Sequence, residues 1–353
     1  MPQKDAAMNA GDARALARQW VDENAESMPG LRGAFLHGSI NALADDAELS
    51  PTSDVDLMLV RDGPVPPLKL GKFLYADVLL EVSYLSADAV ATADAVLHNY
   101  AIAESLRYPG VIYDPSGQLT RVQADVARAF PQRAWVRVRC EEARQKVLRA
   151  IHAVPGPAPY HDRVSAWLFA AGLTTHILLL AGLRNPTVRK RYLAARTLLD
   201  EYGHAAFYPT LLGLMGAADV PREQVETHLV TLAAAFDAAG AVLTTPYQFA
   251  ADMRPAARAV AIDGSRELIR EGNAREALFW MTAVYARGMH VLTVDGTPEL
   301  LTEHAAGYQR LLADLGIHGA GELERGAARI EAALPDVWTV AEAIMAANPQ
   351  IVG

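Results

Sequence analysis

Apolar and polar residues alternate with two different periods along this chain, and the change from one to the other divides it. The run Leu31 to His37 is apolar and strand-like, and it ends in a polar stretch opened by Gly38. Next, Asp54 and Asp56 alternate with Val55 and Leu57 ahead of Met58-Leu59-Val60, which predicts a second strand. Successive strand residues point to opposite faces, so the two acids share one face and Val55 and Leu57 take the other. Lys72 to Ser86 reads as a further strand, with Asp77, Leu79, Glu81 and Ser83 on one parity. A helix capped by Asp12 runs through Leu16 and Trp20 towards Met28 and stops at Pro29-Gly30. Ala87 to Leu106 reads as another helix, followed by a short strand, Val111 to Tyr113, and a turn at Asp114-Pro115-Ser116-Gly117. From Leu119 onward strand signals become rare and helical periodicity takes over, broken at prolines 131, 155, 186, 209, 221 and 255. The fold class is therefore α+β: a small mixed-sheet domain over 1–125, then an all-helical domain of about seven to nine helices over 126–353.

The stretch from Phe35 to Val60 carries the chemistry. Two carboxylates on one strand face repel unless a cation neutralises them. Oxygen-only ligands at that spacing suit Mg²⁺, which takes one or two carboxylates and completes its shell with phosphates and water. Gly38 lets the backbone approach an anion closely, and Ser39 offers it a hydroxyl and an amide. Glu81 lies in the middle of an apolar run, where an acid is costly without a role or a partner, so it is the third candidate carboxylate, with Asp77 as substitute. Two solvent-facing acids beside an apolar face give the same D-x-D string, and Gly-Ser after a strand also marks an ordinary turn.

Taken together, Leu36, Gly38-Ser39 and Ser53-Asp54-Val55-Asp56-Leu57 resemble the signature of the nucleotidyltransferase superfamily typified by DNA polymerase beta. The spacer from Ile40 to Ser53 is fourteen residues, longer than is usual there. Leu80-Glu81-Val82-Ser83 is similar to the string carrying the proposed base of streptomycin-type aminoglycoside adenylyltransferases. The resemblance implies a nucleotidyltransferase domain over 1–125 that uses Mg²⁺ on Asp54, Asp56 and Glu81. It implies transfer of a nucleoside monophosphate, most simply AMP from ATP, to a hydroxyl of a small acceptor such as an aminoglycoside-type antibiotic, with pyrophosphate leaving. Gly38, Ser39 and Ser53 would then hold the triphosphate, and Glu81 would take the acceptor's proton. Three other readings fit the same residues: a nucleotide-binding module without catalysis, a protein adenylyltransferase, and a helical scaffold with no nucleotide role.

Composition narrows the partners. A formal net charge of −9 gives no electrostatic footprint for nucleic acid and suits a cationic or neutral small partner. The single cysteine, Cys140, cannot form an intramolecular disulfide. His161, His176 and His204 stand on separate segments, so no zinc spacing is expected. The first twenty residues lack an apolar core of signal-peptide length, which predicts a cytoplasmic protein. Val164 to Leu183 has no formal charge and is long enough to span a bilayer, but its Ser165, Thr174, Thr175 and His176 favour a buried helix of a protein without a membrane partner. In the helical half, Asn185 is the expected cap of a helix with Pro186 at its first position. Arg189, Lys190 and Arg191 in its first turns oppose the macrodipole unless an anion such as triphosphate sits there, which makes them the candidate nucleotide contacts of that half. A solvated basic patch explains them too. Glu276 and Trp280 are candidates for an acceptor pocket, though aromatics at helical spacing are more often core.

Overall fold

The computed structural model of the chain describes residues 8–353. They form two compact units, one ending at Phe130 and the other running from Pro131 to Gly353. The first contains α1 (Ala10–Asn24), β1 (Leu31–His37), β2 (Val55–Arg61), β3 (Gly71–Tyr75), β4 (Val78–Ser86), α2 (Ala93–Leu97), α3 (Tyr100–Leu106), β5 (Val111–Tyr113) and α4 (Gln118–Ala129). Its strands make one mixed sheet in the order β3-β4-β2-β1-β5, with β2 and β4 parallel and the other neighbours antiparallel.

Period-two alternation sorts the two faces of this sheet. Val55, Leu57 and Leu59 are fully buried and pack with Ala34, Leu36, Leu80 and Val82 against Ala13, Ala17, Trp20 and Val21 of α1. The two alanines, with only a methyl group each, let α1 lie close to the sheet. Complete burial of a side chain such as Leu57 is worth about 2–3 kcal/mol, so this face anchors the strands, while the opposite face mixes polar groups with the buried Phe35, Val60 and Leu79.

Three local expectations change. The run Lys72 to Ser86 is a hairpin and not one strand, because Ala76 and Asp77 take positive φ values of 45° and 68° and turn β3 back onto β4. Paired positive φ values fit the right-handed twist of the strands that such a turn joins. Asp77 thus sits in the turn and not on the face of Glu81. The expected helix Ala87–Leu106 is interrupted twice, since Thr92 Oγ1 accepts from Ala95 N at 3.2 Å and Asn99 Oδ1 from Ala101 N at 3.2 Å, each capping a new helix. Asn9, not Asp12, caps α1: its Oδ1 accepts from Asp12 N at 2.7 Å.

The second unit is helical: α5 (Arg133–Ala153), α6 (Tyr160–Ala181), α7 (Arg191–Glu201), α8 (Tyr208–Leu214), α9 (Arg222–Val242), α10 (Gly264–Arg270), α11 (Ala274–Val294), α12 (Pro298–Asp314) and α13 (Ala320–Ala347). Its centre is formed by α6 and α11, apolar on nearly all sides, with Trp167, Leu168, Ile177, Leu278, Phe279 and Met281 buried. They cross closely at Gly172, where a Cβ would stand 2.5 Å from the Phe279 ring. By length and composition α6 and α9 could each cross a membrane, and α6 is buried along most of its length inside the unit. Cys140 lies buried on α5, and burial pushes its thiol up to about 12, so it packs and does not react.

Candidate functional site

Strand order and register bring four polar side chains onto one rung. His37 pairs with Asp56 across β1 and β2, Asp56 with Glu81 across β2 and β4, and Glu81 with Lys72 across β4 and β3. Directly paired residues share a face, so the rung lies opposite the α1 core. Asp54, two residues before Asp56, joins it: carboxylate oxygens of Asp54, Asp56 and Glu81 all lie within 4.8 Å of one another. Lys72, only 8% exposed, donates to both Asp54 and Glu81, and Lys69 donates to Glu81. Beside them His37 Nδ1 meets Ser105 Oγ at 2.5 Å, and that hydroxyl donates to Ala101 O at 3.4 Å.

Charge is shared unequally over this rung. Burial pushes the Glu81 carboxyl upward, but the ammonium groups of Lys72 and Lys69 outweigh it and hold Glu81 at about 2. Asp56 is raised well above the usual carboxylate range, by burial first and then by its neighbours Asp54 and Glu81. Lys72 and Lys69 act on Asp56 in the opposite direction, pulling it down, but burial and the neighbouring acids outweigh them. Burial also depresses His37 to about 4 against the pull of Glu81, so its imidazole is neutral near pH 7. A carboxyl raised by burial and by two neighbouring acids is relieved by a cation, and an all-oxygen set of three carboxylates fits a hard divalent ion. Lys72 supplies part of that positive charge to Asp54 and Glu81.

Gly38 directly follows β1 with φ +72°, and a Cβ there would lie 2.4 Å from Asp56 Oδ2. Both its backbone angle and the carboxylate behind it require a glycine. Ser39 next to it is exposed, and Ser53 just before Asp54 is half-buried, with its amide donating to Ser50 O at 2.9 Å. The long spacer folds away from these residues onto the start of α1. Ala10 N donates to Ala47 O at 2.9 Å, Arg14 Nη2 donates to Ile40 O at 2.5 Å, and Arg14 Nη1 pairs with Asp45. Its extra length is taken up there, and β1 and β2 stay in unbroken register from Gly33 to His37, the ends that carry the site, with a shift only between Leu31 and Gly33. A cavity of about 340 Å³ lined by Arg32, Val60, Asp62 and Asp114 opens at the opposite end of the strands from the acids.

The basic candidates of the second unit have other surroundings. Their helix does not start at Asn185: α7 begins at Arg191, with Lys190 as its N-cap. Arg191 is 1% exposed, its guanidinium 4.0 Å over the Phe279 ring and its Nε donating to Val188 O at 2.8 Å. Arg189 lies 4.0 Å from Glu267 and packs against Gly264, while Lys190 is half-buried. An anion at the helix start is therefore not needed to explain Arg191, whose charge rests on aromatic faces. Glu276 is buried and bonded by Arg196 at 2.6 Å and Tyr208 at 2.8 Å, and Trp280 lies under Arg287 at 5.0 Å, so both are core.

Sequence periodicity overlooked Lys69, Lys72, His37 and Ser105. The signal for Lys72 was present: a two-residue turn at Ala76-Asp77 pairs residues equidistant from it, which sets Lys72 opposite Glu81.

No protein-family model matches the chain, and no curated protein matches it. Among solved structures it is similar to a nucleotidyltransferase-like protein from Exiguobacterium sibiricum, with 15% identity over 86% of this chain and 91% of that one and a TM-score of 0.30, a likeness too low to decide fold or function.

Proposed function

We propose that the first unit is a nucleotidyltransferase that binds a nucleoside triphosphate, most simply ATP, with Mg²⁺ at Asp54, Asp56 and Glu81. It passes the nucleoside monophosphate to a hydroxyl of a small acceptor. The observation that carries this reading is three carboxylates within 4.8 Å of one another, backed by a glycine turn whose Cβ position the Asp56 carboxylate fills. When bound, the ion neutralises charge at the transferring phosphate and assists an in-line displacement.

The chain's own residues divide the remaining work. Gly38 lets the Asp56 carboxylate come close behind the turn, and the exposed Ser39 hydroxyl and amide, with Ser53, donate to the phosphate oxygens. Lys69 and Lys72 turn their ammonium groups from Glu81 towards the phosphates. Released from them, Glu81 takes the acceptor's proton on the carboxylate oxygen it does not give to the ion, as the oxygen–phosphorus bond forms and the bond to pyrophosphate breaks. His37, neutral and fixed by Ser105, borders the site without adding charge. The net charge of −9 suits a cationic acceptor of the aminoglycoside type, modified in the cytoplasm where ATP is supplied, and such modification would confer antibiotic resistance.

A second reading draws on one observation. With two lysines holding Glu81 at about 2, the group is a weak base as it stands, which is what a nucleotide sensor without transfer would show. Calorimetric titration of ATP with and without Mg²⁺ into the wild type and Asp56→Asn tests the site. Mg²⁺-dependent binding weakened at least tenfold in the variant is expected, and equal binding in both proteins overturns the assignment. Product formation across a panel of hydroxyl acceptors then separates transferase from sensor.

A further inference from the structure

A second group of ligating side chains lies in the helical unit, built from residues far apart in sequence. His161 and Asp162 stand in the first turn of α6, and His290 stands near the end of α11. His161 Nε2 and His290 Nδ1 face each other at 3.2 Å. Asp162 Oδ1 lies 3.8 Å from the first and 3.7 Å from the second. That carboxylate is too distant to hydrogen-bond either ring, yet it is nearly equidistant from both. A point equally far from the three atoms is about 2.1 Å from each, within the range of zinc bonds to histidine nitrogen and carboxylate oxygen. Hydrogen bonding within the group explains one contact of the three, and an ion at that point explains all of them.

The surroundings favour a ligand. Tyr247 stacks on the His290 ring at 4.6 Å and 25°, which fixes the ring's orientation, and the buried Tyr247 hydroxyl has no hydrogen-bond partner among the described residues. The edge is accessible: the Asp162 side chain is 46% exposed and that of His290 28%. Two imidazoles with one carboxylate select a borderline transition ion over Mg²⁺ or Ca²⁺, which prefer oxygen donors throughout.

We propose that the helical unit binds one divalent transition ion of the zinc class through His161 Nε2, His290 Nδ1 and the Asp162 carboxylate. The ion ties the start of α6 to the end of α11 and keeps a coordination position open. This site is independent of the nucleotide reading, being made wholly of residues in the other unit.

The test is titration of chelator-stripped full-length protein with Co²⁺ in excess Mg²⁺, followed by visible absorption. One equivalent of Co²⁺ with ligand-field bands, displaced by Zn²⁺, is expected in the wild type and in Asp54→Asn/Asp56→Asn. In His161→Gln/His290→Gln, affinity should fall at least tenfold. Absence of bands in the wild type, their retention in the histidine variant, or their loss in the aspartate variant overturns the proposal. X-ray absorption of the zinc-loaded wild type decides the matter even where the histidine variant fails to fold: imidazole back-scattering supports the site, and an oxygen-only shell refutes it.

Discussion

Replacing Gly38 by alanine puts two separable strains on the protein, and their sizes follow from the geometry. The first is conformational, since an alanine held at φ +72° costs about 1–2 kcal/mol. The second is steric. The new Cβ would stand 2.4 Å from Asp56 Oδ2, and ordinary carbon–oxygen contact at about 3.3 Å requires the carboxylate to retreat by about 1 Å, an overpacking worth about 1–3 kcal/mol. Together Gly38→Ala should destabilise the chain by about 2–5 kcal/mol. Only the second strain depends on the carboxylate, because the Asp56 Cβ itself is 3.8 Å away, in normal contact. In an Asp56→Ala background the cost should therefore drop to about 1–2 kcal/mol. Urea denaturation followed by circular dichroism on the four proteins of this cycle measures the coupling. A coupling energy below about 0.5 kcal/mol would refute the close approach of Gly38 to Asp56, and with it the claim that the turn and the acid strand form one constructed site. If the transferase reading holds, the same 1 Å displacement should lower transfer by about a hundredfold.

Other substitutions address the charges and the turn. His37 is half-buried and held neutral, so between its unfolded value of 6.5 and about 4 the unfolded chain binds the extra proton and wild-type stability falls as pH drops. His37→Gln should remove this dependence, worth roughly 3 kcal/mol across the window in urea titrations, and an unchanged slope would contradict a neutral ring. Lys72→Met strips an ammonium from two carboxylates and should cost about 3–5 kcal/mol, with Mg²⁺ restoring more stability to the variant than to the wild type. Glu81, depressed from 4.5 to about 2, contributes stability that is complete above pH 4.5 and lost as pH falls towards 2, and in Lys72→Met that acid limb should flatten. Ala76→Gly relieves a φ of 45° in the β3–β4 turn and should stabilise the protein by about 0.5–1 kcal/mol in thermal melts, whereas destabilisation would show that the turn is not strained.

What the sequence determined by itself was whatever depends on neighbours a few residues apart. Alternation at Asp54-Val55-Asp56-Leu57 decides which side chains face the helix core, because the two-residue period of a strand is fixed by backbone geometry. The shift to helical periodicity after Leu119 likewise announces a helical half, since an apolar stripe must be buried whatever lies against it. Local signals misled where a short segment has two solutions. Lys72 to Ser86 has strand propensity throughout, and only the positive φ values at Ala76 and Asp77 fold it into a hairpin. Tertiary structure alone decided the pairings across long separations. It set Lys72 against Asp54 and Glu81, His37 against Ser105, and His161 beside His290, and it laid the Arg191 charge on Phe279. Such contacts arise from strand order and helix packing, which are settled by how whole faces fit together. No spacing along the chain encodes them, because the residues meet only after burial of the apolar faces has fixed the elements that carry them.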